Sequence, residues 1–382
     1  MSREGSRLGS PKRRTFLKTT GATTVGLTGL AGCLGSGGGS NSIRAFLWEG
    51  YGPLVKQFEE EHDVTVEVEK ATSTNNMFTK ANSAPDRYDV VCPNSGYAQR
   101  FRDAGLIQPL AKNQEEMINK VPNLTNTFDY FRQGTIQDHL TDSQGRWYGI
   151  PPRFGLYGLA VDTKNVDKSK LQSSADLWNH KDAWKSVGIG VNTDPVHSVT
   201  HAVRALGYTD MLRGDQMNVS GQAWEETRQK FLELADFTRA MFTSEAQFGR
   251  AFKGDSYNVG VGPGRNDVIN LIKKGNEQFE FVPPKEGSIG WTEAMLMTKS
   301  SQNQDAVQKF MDFFLRPKIG AQLAVSDLAP STVRDAKEHL TQQEQDLFYI
   351  PPEDVQKVIQ DKPFKNPQKW KQLMSEFKTR LG

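Results

Sequence analysis

From Ile43 onward, short apolar runs of strand length alternate with segments whose apolar residues recur at helical spacing, and no other feature limits the fold as tightly. Ile43-Arg44-Ala45-Phe46-Leu47-Trp48 predicts a strand, and residues 52–61 the helix after it. Val64-Thr65-Val66-Glu67-Val68 alternates as a second strand does. Tyr88-Asp89-Val90-Val91-Cys92 predicts a third strand that runs into a Pro-Asn-Ser-Gly loop and a helix over 98–104. Strands that follow one another through helices imply an α/β fold with parallel strands. In such sheets a ligand lies beyond the carboxyl ends of the strands, so 48–51 and 93–97 mark where one would sit.

A second α/β unit follows. Leu156-Tyr157-Gly158-Leu159-Ala160-Val161 and residues 187–191 predict strands, and 198–206 and 223–242 predict helices. Phe231, Leu234, Ala235 and Thr238 repeat at helical spacing, as core packing requires. Near residue 290 the chain is expected to return to the first unit, with a helix over 306–315 closed by Arg316-Pro317. At 382 residues and 36% hydrophobic content there is material for a large core and two lobes.

The segment before this body reads as an export leader. Lys12-Arg13-Arg14-Thr15-Phe16-Leu17-Lys18 has the form of a twin-arginine signal, and Leu30-Ala31-Gly32-Cys33 resembles the site where a signal peptidase cuts before a lipidated cysteine. Residues 1–32 are therefore expected to be a signal peptide, and 33–42, through Leu34-Gly35-Ser36-Gly37-Gly38-Gly39-Ser40, a flexible tether anchored by lipid on Cys33. That places the body outside the cytoplasm, at the cell surface or in a periplasm. Cys92 is the other cysteine, so no disulfide framework exists, and it is expected to be a small buried hydrophobe.

The leader also distorts the charge. Removing its six basic residues and Glu4 leaves 41 basic against 44 acidic residues, near −3 rather than the formal +2. No basic stripe remains for nucleic acid. The run 260–265 fails the dinucleotide fingerprint at Arg265, and no phosphate-binding loop, His-Glu-x-x-His or Gly-x-Ser-x-Gly occurs, so neither an enzyme nor a cofactor is expected. Asp194, His197 and His201 could share a helix face, but no further His or Cys completes a metal shell, and no metal is expected. Asn123-Leu124-Thr125 and Asn218-Val219-Ser220 fit the glycosylation acceptor pattern.

Several stretches, in order, resemble the bacterial spermidine/putrescine-binding proteins, the periplasmic receptors of polyamine ABC importers. Leu47-Trp48-Glu49-Gly50-Tyr51 is similar to the family's Trp-x-x-Tyr after the first strand, and Tyr88 to Pro93 with 102–108 to its Tyr-Asp-Leu-Val-x-Pro block. Tyr148-Gly149-Ile150-Pro151, Gly158-Leu159-Ala160-Val161-Asp162, Asp176-Leu177-Trp178, residues 284–291 and Phe313-Phe314-Leu315-Arg316-Pro317 carry the likeness on, from about Ile43 to about Ala336. The resemblance implies a type II periplasmic-binding fold, two α/β lobes that close on the ligand about a hinge. One lobe would take 43–153 with 292–329 and the other 154–291 with 330–382. It further implies a monomer that hands its solute to a membrane permease.

A polyamine needs carboxylates for its ammonium groups and aromatic faces for its methylenes. By the resemblance, Trp48, Tyr51 and Trp291 are the aromatic wall, and Glu293 and Asp194 the acids. Glu49, Asn94, Ser95, Tyr97 and His197 fall on the same loops, with His197 in place of a family acid and Asn94 and Gly96 in place of its serine and tyrosine. Arg153 and Arg265 are expected near the cleft, where a guanidinium suits a zwitterion or an anion such as an aminophosphonate.

Overall fold

The computed structural model describes residues 41–382 except Asp215. The expected signal peptide, Cys33 and the tether up to residue 40 lie outside the described residues.

The described residues hold twelve strands: β1 Ser42–Leu47, β2 Thr65–Lys70, β3 Val90–Val91, β4 Gly149–Ile150, β5 Phe154–Asp162, β6 Ile189–Asn192, β7 Thr238–Phe242, β8 Val259–Gly264, β9 Phe279–Val282, β10 Ile289–Thr292, β11 Met295–Met297 and β12 Ile359–Gln360. They form two sheets. The first has the order β2-β1-β3-β11-β4, and the second β12-β10-β5-β8-β6-β7 with β9 against β5.

In the first sheet β1 runs parallel to both β2 and β3, with Ser42 opposite Thr65 and Ala45 opposite Val90. Ile43, Ala45, Phe46 and Leu47 have no exposed surface, as a central strand covered on both faces demands. The helix Gly52–His62 begins with Pro53 in its first turn, buries Leu54, Val55 and Phe58, and stops where Asp63 takes a left-handed conformation. The expected all-parallel arrangement gives way at β11, which is antiparallel to β3 and β4 because it arrives from the other sheet. The second sheet is mixed as well: β6 is parallel to β7 and β8, whereas β5 opposes β8, β9 and β10.

Three passages join the sheets: Pro151–Arg153 between β4 and β5, Glu293–Ala294 between β10 and β11, and the step from Val358 into β12. The last differs from the expectation that 330–382 belongs with the second unit. Val333, Ala336, Phe348, Ile350, Val355 and Val358 pack into the first sheet's core, and only from Ile359 does the chain join the second. Backbone pairing explains it, since the carbonyls of Pro330 and Thr332 accept from the amides of Phe154 and Phe128. A capping box of Thr341 and Glu344 then starts the helix Gln342–Phe348 on that side.

A second correction concerns 223–242. The helix is Gly221–Glu233; a tight turn, Leu234–Phe237, ends it, and Thr238–Phe242 is β7, paired in parallel with β6. Leu234 and Ala235 are buried at the expected spacing, but the free edge of β6 captures the following residues, and tertiary pairing overrides the local period.

Candidate functional site

The passages bring loops from both sheets around a cavity of about 570 Å³. Trp48, Glu49, Asn94, Trp291 and Glu293, all expected from the sequence, line it. Arg153, Tyr157, Glu245, Asn266, Asn270 and Asp327 line it too. Most sit near element ends: Trp48 follows β1, Glu245 and Asn266 open the helices Glu245–Lys253 and Arg265–Lys273, and Asp327 closes the helix Pro317–Asp327, whereas Tyr157 lies within β5 and Asn270 within the helix Arg265–Lys273.

The two tryptophans are fixed differently. Trp48 donates its indole N–H to the carbonyl of Cys92 at 2.7 Å, which ties the first loop to the end of β3. Trp291 lies opposite Gly155 in the β5–β10 pairing, and a side chain at Gly155 would come within 2.3 Å of the indole ring. The glycine leaves the space that the ring occupies.

At the cavity floor one cation faces two carboxylates. Arg153 and Glu293, which are 5% and 1% exposed, form a bidentate pair, Nε to Oε2 at 2.8 Å and Nη2 to Oε1 at 2.6 Å. Arg153 Nη1 also pairs with the Asp327 carboxylate. The buried Tyr51 hydroxyl donates to Glu293 Oε2 at 2.6 Å, and the backbone N–H of Glu293 donates to the carbonyl of Arg153 at 3.1 Å. The Arg153 guanidinium carbon lies 5.3 Å from the centre of the Trp291 ring and 5.5 Å from that of Tyr51. Burial alone would lower the pKa of Arg153, but Glu293 holds it above its ordinary value. Burial raises that of Asp327 to about 6, although Arg153 pulls the other way. Any side chain at Gly50 would strike Asp327, with a Cβ only 2.1 Å from the aspartate Cβ, so glycine there admits the acid.

Glu245 lines the cavity as well, and Asp267 lies near it outside the lining. Asp267 Oδ2 accepts the N–H of Gly264 at 2.9 Å, and Asn266 Nδ2 donates to Glu245 Oε1 at 3.0 Å. Burial, and then the Glu245 charge, raise the pKa of Asp267 well above its ordinary value. Nearby, burial raises Asp361 to about 7, with Asp194 adding to the effect. Tyr157 is raised by burial and by these acids, Asp361 first.

Other expected residues take different places. Tyr51 is buried behind Glu293 and does not itself line the cavity. Ser95 is buried with its hydroxyl 2.9 Å from His139 Nδ1, and Tyr97 packs on the first core. Asp194 caps the helix Pro195–Ala205 by accepting the Val196 N–H at 2.9 Å. His197 stacks on Tyr157 with ring centres 3.4 Å apart, and burial holds its imidazole down at about 4. Ser95, Tyr97, Asp194 and His197 are thus not among the residues around the cavity. Arg265 also lies outside that set, donating to the carbonyl of Asp346 at 3.3 Å. His201 is buried against the Ser174 hydroxyl, and among the described residues no group of three His, Cys, Asp or Glu side chains is placed to hold a metal ion.

Of the residues the sequence reading passed over, Asp327 and Glu245 carry the most charge. Each stands at a helix terminus, and nothing in the local pattern sets either apart from a surface carboxylate. Cys92 is buried as expected, 3.8 Å from the Tyr51 hydroxyl. No helix of the described residues is long and apolar enough to cross a membrane.

Comparison with known proteins accords with this architecture. The chain is 27% identical over 289 residues to the spermidine/putrescine-binding periplasmic protein of Escherichia coli, which covers 75% of this chain and 76% of that one. It is 22% identical to spermidine/putrescine-binding periplasmic protein 1 of Haemophilus influenzae, over 79% and 78% of the two lengths. The crystal structure of the spermidine/putrescine ABC transporter substrate-binding protein of Streptococcus pneumoniae superimposes with a TM-score of 0.76 at 23% identity, over 89% of this chain and 99% of that one. The fold is thus that of the type II periplasmic binding proteins. The family model for bacterial extracellular solute-binding proteins matches residues 53–336, and the chain belongs to that family.

Proposed function

We propose that this protein captures a small solute carrying at least one ammonium group, a polyamine or related amine, and delivers it unchanged to the membrane permease of an ABC importer. One observation carries the reading. The residues lining the cavity include four carboxylates, Glu49, Glu245, Glu293 and Asp327, against one guanidinium, and that guanidinium is held by two of the four. An anion would meet this surplus of negative charge, with Arg153 already engaged and Arg265 outside the lining. A cation meets acids and two indole faces. The names of the relatives support the same ligand class.

In this reading two lobes close about the passages at Arg153 and Glu293, a lipid on Cys33 keeps the body at the membrane, and the protein acts as a monomer without catalysis. Release of Cys33→Ser protein into the medium tests the anchor. Calorimetry with putrescine, spermidine, a zwitterionic amino acid and an aminophosphonate tests the ligand. A Kd of about 1 μM or tighter is expected for an amine, on the order of −8 kcal/mol. Trp291→Ala should weaken it roughly thirtyfold, the worth of about 2 kcal/mol for an aromatic face on a desolvated cation. Binding confined to the anionic ligand would overturn the reading.

A further inference from the structure

We propose that Arg153 acts as a built-in ligand cation: it fills a carboxylate-and-aromatic cage that would otherwise hold a cationic end of the solute, and so reduces by one the number of cationic groups the protein recognises. The inference deepens the amine-binding reading and rests on it for the ligand class.

The cage has the parts that recognise a cation. Glu293 meets the guanidinium along its Nε–Nη2 edge at 2.8 and 2.6 Å, and Asp327 meets Nη1 on another side. The rings of Trp291 and Tyr51 lie 5.3 and 5.5 Å from its central carbon. Aromatic rings with carboxylates around a desolvated charge make a cation site whichever molecule supplies the charge. Here the chain supplies it, from the passage between β4 and β5.

Two further facts show that the cage is built for this guanidinium. The Tyr51 hydroxyl donates to Glu293 Oε2, the same oxygen that takes Arg153 Nε, so the carboxylate keeps its position through a bond independent of the arginine. Gly50 leaves the room in which Asp327 approaches. Because Arg153 lines the cavity, removing its side chain opens the cage to whatever the cavity holds. The carboxylates that remain for a solute, Glu49 and Glu245, have exposed or polar surroundings and are paired with Lys70 and Asn266. The wild type should therefore accept an amine with one cationic end and gain little from a second.

Arg153→Ala separates this from a purely structural ion pair. Thermal unfolding of the variant is followed with and without methylguanidinium at millimolar concentration, and calorimetry compares n-butylamine with agmatine, which adds a guanidinium to the other end of the same chain. Methylguanidinium is expected to raise the melting temperature of the variant and leave the wild type unchanged. The preference for agmatine over n-butylamine should rise at least about tenfold in the variant. If Arg153→Ala is insoluble, it is to be refolded with and without methylguanidinium beside Arg153→Lys. Recovery only with methylguanidinium supports the cage, and failure in both while Arg153→Lys folds overturns it. An unchanged ligand ranking, or no rescue of a folded variant, also overturns it. A wild type that binds no amine would remove the amine reading, whereas methylguanidinium rescue reports on the cage whatever the natural solute is.

Discussion

The two sides of the cavity hold their carboxylates in different ways. On the floor, Glu293 and Asp327 are compensated by a buried guanidinium from their own chain. On the opposite wall Glu245 stays exposed and accepts from Asn266, while Asp267, outside the lining and behind it, has its pKa raised chiefly by burial. A cation fixed in place makes one cluster depend on geometry, and a held proton makes the other depend on pH. A fixed cation therefore dominates on the floor, although Asp327 there still titrates at about 6, and burial dominates behind the opposite wall.

The comparison breaks first at Arg153. Arg153→Met leaves the buried Glu293 and the part-buried Asp327 carboxylates without their counter-ion and should cost about 3–5 kcal/mol in unfolding free energy by urea titration. The loss should persist at high salt, which screens buried pairs far less than exposed ones. A loss below about 1 kcal/mol would mean that the floor, like the wall, adjusts by taking up protons.

The wall is sharpened by pH. The pKa of Asp267 is raised in the folded protein, so folding retains a proton that the unfolded chain releases. Its stabilising share is complete below the ordinary carboxylate range and declines as pH rises toward the raised value, by at most about 1.4 kcal/mol per pH unit. Asp267→Asn, neutral throughout, should flatten the stability profile above pH 4. Asp361, at about 7, and Asp327, at about 6, keep the same sign of slope in the variant. Superimposable profiles for variant and wild type would place the proton elsewhere.

The smallest effect is expected at the rim. Glu49 is exposed and pairs with exposed Lys70 at 2.9 Å, so Glu49→Gln should leave the urea midpoint close to that of the wild type, and closer still as salt is added. A larger loss would show that the first loop depends on this pair rather than on the Trp48–Cys92 hydrogen bond.

These contrasts also mark what the sequence could convey. Ile43 to Leu47 and Val64 to Val68 announce their strands because burial on one or both faces leaves a pattern in neighbouring residues. Trp48 and Trp291 sit within stretches that carry the resemblance, and Glu293 was reached by position from it. Asp327 was not legible, since it meets Arg153 across 174 residues and no short-range rule links the two. The same holds for the third passage, where residues 330–358 pack by long-range pairing to Phe128 and Phe154. Thr238 to Phe242 failed for a related reason: a helical repeat continued on paper where the edge of β6 offered hydrogen bonds instead. Asp194 and His197 came from the resemblance and, with His201, from their spacing; the structure has one as a helix cap and the other as a stacking partner.

The hydrogen bond from Trp48 to the carbonyl of Cys92 has a thermodynamic consequence of its own. An unattached indole beside a solvent-filled cavity would sample several rotamers and lose that freedom on capturing a solute, at roughly 0.5–1.5 kcal/mol for one side chain. Anchored at its nitrogen, Trp48 has already surrendered that entropy during folding. The ring is thus presented as a rigid plate, and the affinity for a solute is not diminished by ordering it.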